Sequence, residues 1–151
     1  MYLANAFIAV EGTHELFVQI GDDYTWVNAE AFQRAVNVLV ECVPVGEYER
    51  NVCVSIEPPV IGNRSIASGI TGCLDVQVND TLAYELKFVG DISFEHEFQS
   101  LLYAAILAIN TNATSQCVLF NARSGQKVVK EIDPERARLL VREAVVAKVD
   151  G

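Results

Sequence analysis

The sequence predicts an α/β (α+β) fold, a central mixed β-sheet flanked by helices. Three observations carry this: short β-branched and aromatic runs bounded by turn residues, long stretches with helical spacing, and their order of helix, strand, strand, strand, helix, strand. At 151 residues the chain fits one domain, 1–151, because two cores of half that size would each approach the lower limit of independent burial. Hydrophobic residues make up 51% and charged residues 21%, enough apolar surface to offset chain entropy, which argues against intrinsic disorder. The longest apolar stretches, such as 101–109, fall short of the ~20 residues that cross a bilayer. Met1 is followed by no basic region with an apolar core, so an intracellular protein, cytoplasmic or nuclear and away from membranes, is expected.

Each element has a local cause. Residues 3–10 and 15–20 are strand-like and separated by a turn at Gly12, which predicts an opening hairpin over 1–24 as an addition to the core. Asn28 suits a helix N-cap, and Phe32, Ala35, Val36, Leu39 and Val40 follow with helical spacing until Pro44. Residues 52–56 alternate as a strand; Pro58, Pro59 and Gly62 then mark a loop. The apolar, glycine-punctuated run 66–78 meets a turn at Asn79-Asp80 and continues as a second strand through 82–89. Ser93 caps a helix over 94–109, with Phe98, Leu101, Leu102, Ala105 and Leu107 forming one broad apolar face. Residues 118–121 and 127–132 read as a strand pair, and Asp133-Pro134 opens a final helix carried by Leu139, Leu140, Glu143, Val146 and Ala147.

Cys42, Cys53, Cys73 and Cys117 are too far apart in sequence for the close pairs of zinc or iron–sulfur sites, and are expected as reduced, mostly buried thiols. The net charge of -9 disfavours a broad basic face. Contact with phosphates would then rely on bound divalent cations or on partner surfaces.

The chemistry-bearing residues cluster in the middle of the chain. Asp75 and Glu85 stand ten positions apart on two strands joined by the Asn79-Asp80 turn, and Lys87 follows Glu85 by two, on the same strand face. Tyr84, Leu86 and Phe88 take the opposite face. Two carboxylates and an ammonium in an apolar sheet need partners, and a hard divalent cation between the acids is the simplest resolution. His96, Gln99 and Tyr103 lie at i, i+3 and i+7 on one helix face, from which they could address the same centre.

The series Gly72-Cys73-Leu74-Asp75, Glu85-Leu86-Lys87, then Gln99 with Tyr103, spanning 69–103, resembles the motifs of RecB-type and lambda-exonuclease-like members of the PD-(D/E)XK nuclease superfamily. The resemblance implies a restriction-endonuclease-like core and a divalent-metal-dependent nuclease hydrolysing DNA, DNA ahead of RNA, as the nuclease unit of a replication, repair or recombination system. It implies that Asp75, Glu85 and the Leu86 backbone carbonyl hold Mg2+ or Mn2+. Lys87 would orient or deprotonate the attacking water, while Gln99 and Tyr103 hold lysine, water or phosphate. Members carry a further upstream glutamate; Glu49 is the first choice, followed by Glu41 and Glu57, with His96 as another candidate ligand. The alternative expectation is a catalytically inactive module of the same fold that binds nucleic acid or protein, and a protein partner or homo-oligomer fits the small acidic chain.

Each of these residues also has a plainer reading. Glu85 and Lys87 can be an ordinary same-face ion pair, and His96 a solvated residue at a helix start. His14 falls in a turn, and Trp26 beside Tyr24 suits a hydrophobic staple as well as base stacking. Arg123, Lys127 and Lys130, with Arg50 and Arg64 earlier, suit a solvated face as well as phosphate contacts.

Overall fold

The computed structural model describes residues 29–56, 60–61, 64–65 and 68–150. Residues Arg34–Gly151 form one compact unit; residues 1–33 group separately and contribute Ala29–Gln33 to the described part. The opening hairpin, His14, Tyr24 and Trp26 lie outside the described residues, as does Glu57.

In chain order the elements are α1 (Ala29–Cys42), β1 (Glu47–Ile56), β2 (Val60–Ile61), β3 (Arg64–Ser65), β4 (Ser68–Asn79), β5 (Leu82–Lys87), α2 (Phe94–Thr111), β6 (Ser115–Asn121), β7 (Gln126–Ile132) and α3 (Pro134–Asp150). Five strands form one mixed sheet in the order β1-β4-β5-β6-β7, which with the helices makes an α+β fold. β5 and β6 run parallel, joined by the α2 crossover; the other neighbours are antiparallel. The stretch expected as a loop after β1 contains a small separate hairpin, β2 with β3. Runs of two residues carry no periodicity that a sequence pattern could register.

The expected turn at Asn79-Asp80 forms because Asn79 Oδ1 accepts hydrogen bonds from the Thr81 backbone N–H at 2.9 Å and from its hydroxyl at 3.2 Å. Gly125, at φ +75, makes the β6–β7 turn in the left-handed region that glycine tolerates. Asp133 caps α3 by accepting from the N–H groups of Glu135 and Arg136, both at 3.0 Å, and these bonds hold its carboxyl below the usual range.

Helices pack on both faces of the sheet. On one, Ala35 of α1 packs with Val76, Tyr84, Val118, Phe120 and Ala122, and Leu86 joins this layer, as the alternation along β5 predicted. On the other, Ala104 and Leu107 of α2 cover Leu74, Ala83 and Cys117. α2 is in turn covered by Ala137 and Val141 of α3, which meet Ala105, Ile106 and Ala108. A helix enclosed from two sides buries successive residues rather than one stripe, and Ala104 to Ala108 are all buried. This corrects the single-face expectation for α2, whose Phe98 is substantially exposed. Likewise Ala137, Val141 and Val145 form the buried row of α3, while Leu139 faces solvent. The cysteines are free, but Cys117 alone is buried; Cys53 on β1 and Cys73 on β4 are exposed, where no described residue covers the sheet. Among the described residues no helix is long and apolar enough to cross a membrane.

Candidate active site

The centre of the site is a break in the alternation of β4. Leu74 and Val76 are two residues apart, a spacing that places strand side chains on one face, yet Leu74 packs under α2 and Val76 packs with α1. The phase slips at Asp75. Across from it on β1, between the pairs Tyr48↔Val76 and Arg50↔Leu74, Glu49 takes the left-handed conformation with φ 51, a local change of backbone that interrupts the pairing without shifting its register.

Beyond Val76 the β4–β5 ladder ends, so Asp75 replaces a backbone partner: its Oδ2 accepts the Leu86 N–H at 2.7 Å. In an extended strand the N–H and C=O of one residue project to the same edge, so the Leu86 carbonyl also faces this opening. Glu85 lies one residue earlier on the face covered by α2 and is 3% exposed. Its Oε1 accepts from Lys87 Nζ at 2.7 Å, whereas Oε2 is buried with no hydrogen-bond partner. Burial raises the Glu85 pKa, the Lys87 hydrogen bond opposes that, and the neighbouring Asp75 charge adds to it.

Lys87 Nζ also donates to Gln99 Oε1 at 3.1 Å, and Gln99 Nε2 donates to the Tyr103 hydroxyl at 3.1 Å. The i, i+4 spacing of Gln99 and Tyr103 makes that last contact possible. Burial raises the Tyr103 pKa, against the lowering effect of the Gln99 bond. Gly72 lets the ring lie against β4: a Cβ there would stand 2.5 Å from Tyr103 Cε1. Cys117 lines the floor of the same region, its thiol pKa pushed strongly up by burial and then by the charges of Glu85 and Asp75.

Asp75, Glu85, Lys87, Gln99 and Tyr103 are therefore brought into one hydrogen-bonded neighbourhood. His96 does not join it. It completes the N-terminal cap of α2 instead, where His96 Nδ1 accepts from the Ser93 N–H at 3.1 Å and the Ser93 hydroxyl accepts from the His96 N–H. Histidine here takes the reciprocal role that glutamate or glutamine has in a capping box. Glu49 lies across from Asp75 on the neighbouring strand and is exposed; Glu41 is exposed on α1. Among the described residues no three His, Cys, Asp or Glu side chains converge as a metal group.

The basic residues are largely occupied by structural partners. Lys130 pairs with Glu97, Arg50 with Glu47, and Lys127 reaches the Cys42 carbonyl while lying 5.4 Å from the centre of the Phe120 ring. Arg123 is exposed in the β6–β7 turn, and the Arg64 side chain lies outside the described residues.

One residue escaped sequence reasoning. Asn121 is fully buried; its Nδ2 donates to the Val89 carbonyl at 2.9 Å and its Oδ1 accepts from the Arg123 N–H at 3.1 Å. It ties the segment leaving β5 to the end of β6 and so fixes the strand end that carries Lys87. An asparagine just before a turn signals turn chemistry, and nothing local marks it as a bridge between distant segments. Comparison with family models, curated proteins and solved structures finds no match for this chain.

Proposed function

We propose that the chain is a divalent-metal-dependent nuclease with a restriction-endonuclease-like core, hydrolysing DNA phosphodiester bonds as the nuclease unit of a larger replication, repair or recombination system. The observation that carries this reading is the enclosed Glu85 carboxylate, with one oxygen on Lys87 and the other unpartnered, beside a second carboxylate on Asp75. A buried oxygen with no donor and two acids in mutual repulsion fit a hard cation, and carboxylate and carbonyl oxygens are the ligands that Mg2+ or Mn2+ prefers. Asp75, Glu85 and the Leu86 carbonyl would hold it, and when bound it supplies a Lewis acid that lowers the pKa of water.

The chain's own residues then divide the work. Lys87, held between Glu85 and Gln99, places an ammonium where it can orient a nucleophile or meet a phosphate oxygen. Gln99 fixes the lysine with its carbonyl oxygen and engages Tyr103 with its amide, so the helix sets the position of the strand's cation. The expected result is magnesium- or manganese-dependent degradation of DNA by purified protein, reduced by about a hundredfold or more in Lys87→Ala with circular dichroism unchanged. Equal background activity in wild type and variant would reject the reading.

The absence of a third converging acid among the described residues favours a second reading, a non-catalytic module of the same architecture that binds nucleic acid or protein. Titration calorimetry separates the two. A nuclease site gives manganese binding that Asp75→Asn and Glu85→Gln each remove, and a binding module gives none.

A further inference from the structure

β7 lies at the end of the sheet, and among the described residues β6 is its one strand partner and none pairs with the outer N–H and C=O row of Gln126–Ile132. Such an edge is a template for another strand. The sequence QKVVKEI has a further property: it is complementary to itself in the antiparallel register that pairs all seven of its residues. With Val129 opposite Val129 of a second copy, Lys127 falls opposite Glu131 twice, Val128 opposite Lys130 twice, and Gln126 opposite Ile132. Shifting by one residue in one direction sets Lys127 against Lys130, shifting by two in the other sets Lys130 against Lys130, and the two remaining shifts of one or two residues set no charges opposite one another and so lose both ion pairs. Like charges directly opposite are unfavourable and opposite charges favourable, so the Val129-centred register is selected.

Exposure agrees with this pattern. Val129 is 55% exposed, a large apolar side chain at the centre of the strand, and Lys127 and Glu131 flank it on the same face, both exposed; within the chain Lys127 reaches the Cys42 carbonyl and Glu131 accepts from Gln116 Nε2, contacts that leave each charge without an ionic partner among the described residues. The occupant that fits is therefore a second copy of this chain rather than an arbitrary strand: the two-fold axis passes through Val129 and each ion pair is generated twice by symmetry. We propose that the protein forms a two-fold dimer by antiparallel β7–β7 pairing, joining two five-stranded sheets into one continuous sheet. This does not depend on the nuclease reading. The site lies around β4, β5 and α2, so the dimer would leave its residues in place and carry two such sites.

The test is a charge exchange followed by sedimentation equilibrium on the full chain. Wild type is expected to self-associate, and Lys127→Glu or Glu131→Lys alone is expected to weaken association by about tenfold or more, since each sets like charges opposite one another twice. Mixing the two single variants should restore a dimer, because both 127–131 contacts of the hetero-pair then join opposite charges, one in the native sense and one reversed. Recovery on mixing also shows that both variants fold. The double variant Lys127→Glu/Glu131→Lys should associate as wild type does. A monomeric wild type, or single variants that associate as well as wild type, would overturn the proposal.

Discussion

The two faces of the sheet are built to different specifications. Beneath α1, Val76, Tyr84, Val118 and Phe120 make a layer that buries no carboxylate or ammonium, whereas beneath α2 the same strands present Glu85, Lys87 and Asn121 among Ala83, Cys117 and Leu119. The difference lies in what each helix offers. α2 brings Gln99 and Tyr103 to the charged pair, so an ion pair that would otherwise be a liability is held in a hydrogen-bonded series. One face supplies cohesion; the other gives up part of it to hold a charged, hydrogen-bonded series.

That contrast can be broken most severely on the cohesive side. Phe120→Ala empties a fully buried site under α1 and is expected to cost about 4 kcal/mol in chemical denaturation. The manganese binding proposed at Asp75 and Glu85 should survive in whatever fraction remains folded. A loss below about 1 kcal/mol would show that the α1 layer is not a close-packed core.

On the charged side the effect is smaller and reversible by a second change. Lys87→Met strips the Glu85 carboxylate of its cation and is expected to destabilise by about 2 kcal/mol, below the figure for fully buried pairs because Lys87 retains some solvent contact. Adding Glu85→Gln should recover most of the loss, since no buried charge then remains. If the double variant is no more stable than Lys87→Met, the pair is not what governs stability there.

The smallest effect is a slope with pH. Burial holds the Glu85 pKa above its ordinary value of 4.5, so between that value and its folded pKa the native state binds more protons than the unfolded one. Stability from this group therefore falls as pH rises through that window. Glu85→Gln should flatten the difference in denaturation midpoint across it; an unchanged slope would assign the pH dependence to other groups.

Much of this arrangement was legible in the sequence because it rests on local rules. The Asn79 turn, the Ser93 and Asp133 caps and the period-two placement of Tyr84 and Leu86 are each decided within a few residues. The convergence of Glu85, Lys87, Gln99 and Tyr103 follows from two such periods meeting at one face. The rest depends on long-range partners. Nothing near Asp75 announces that β4 changes phase there, because the slip is shared with Glu49 on another strand. His96 looks like a ligand in a list of helix positions, and the Ser93 backbone claims it. Leu139 and Phe98 have the composition of core residues, but which side of each helix is covered is settled by where α3 crosses α2.

The bond from Leu86 N–H to Asp75 Oδ2 has a consequence for observing this protein. The amide is sheltered by a side chain rather than by a neighbouring strand, so its exchange with deuterium reports on one carboxylate. Anything that draws Asp75 away will speed exchange at Leu86 while Tyr84, laddered to Val76, keeps its protection.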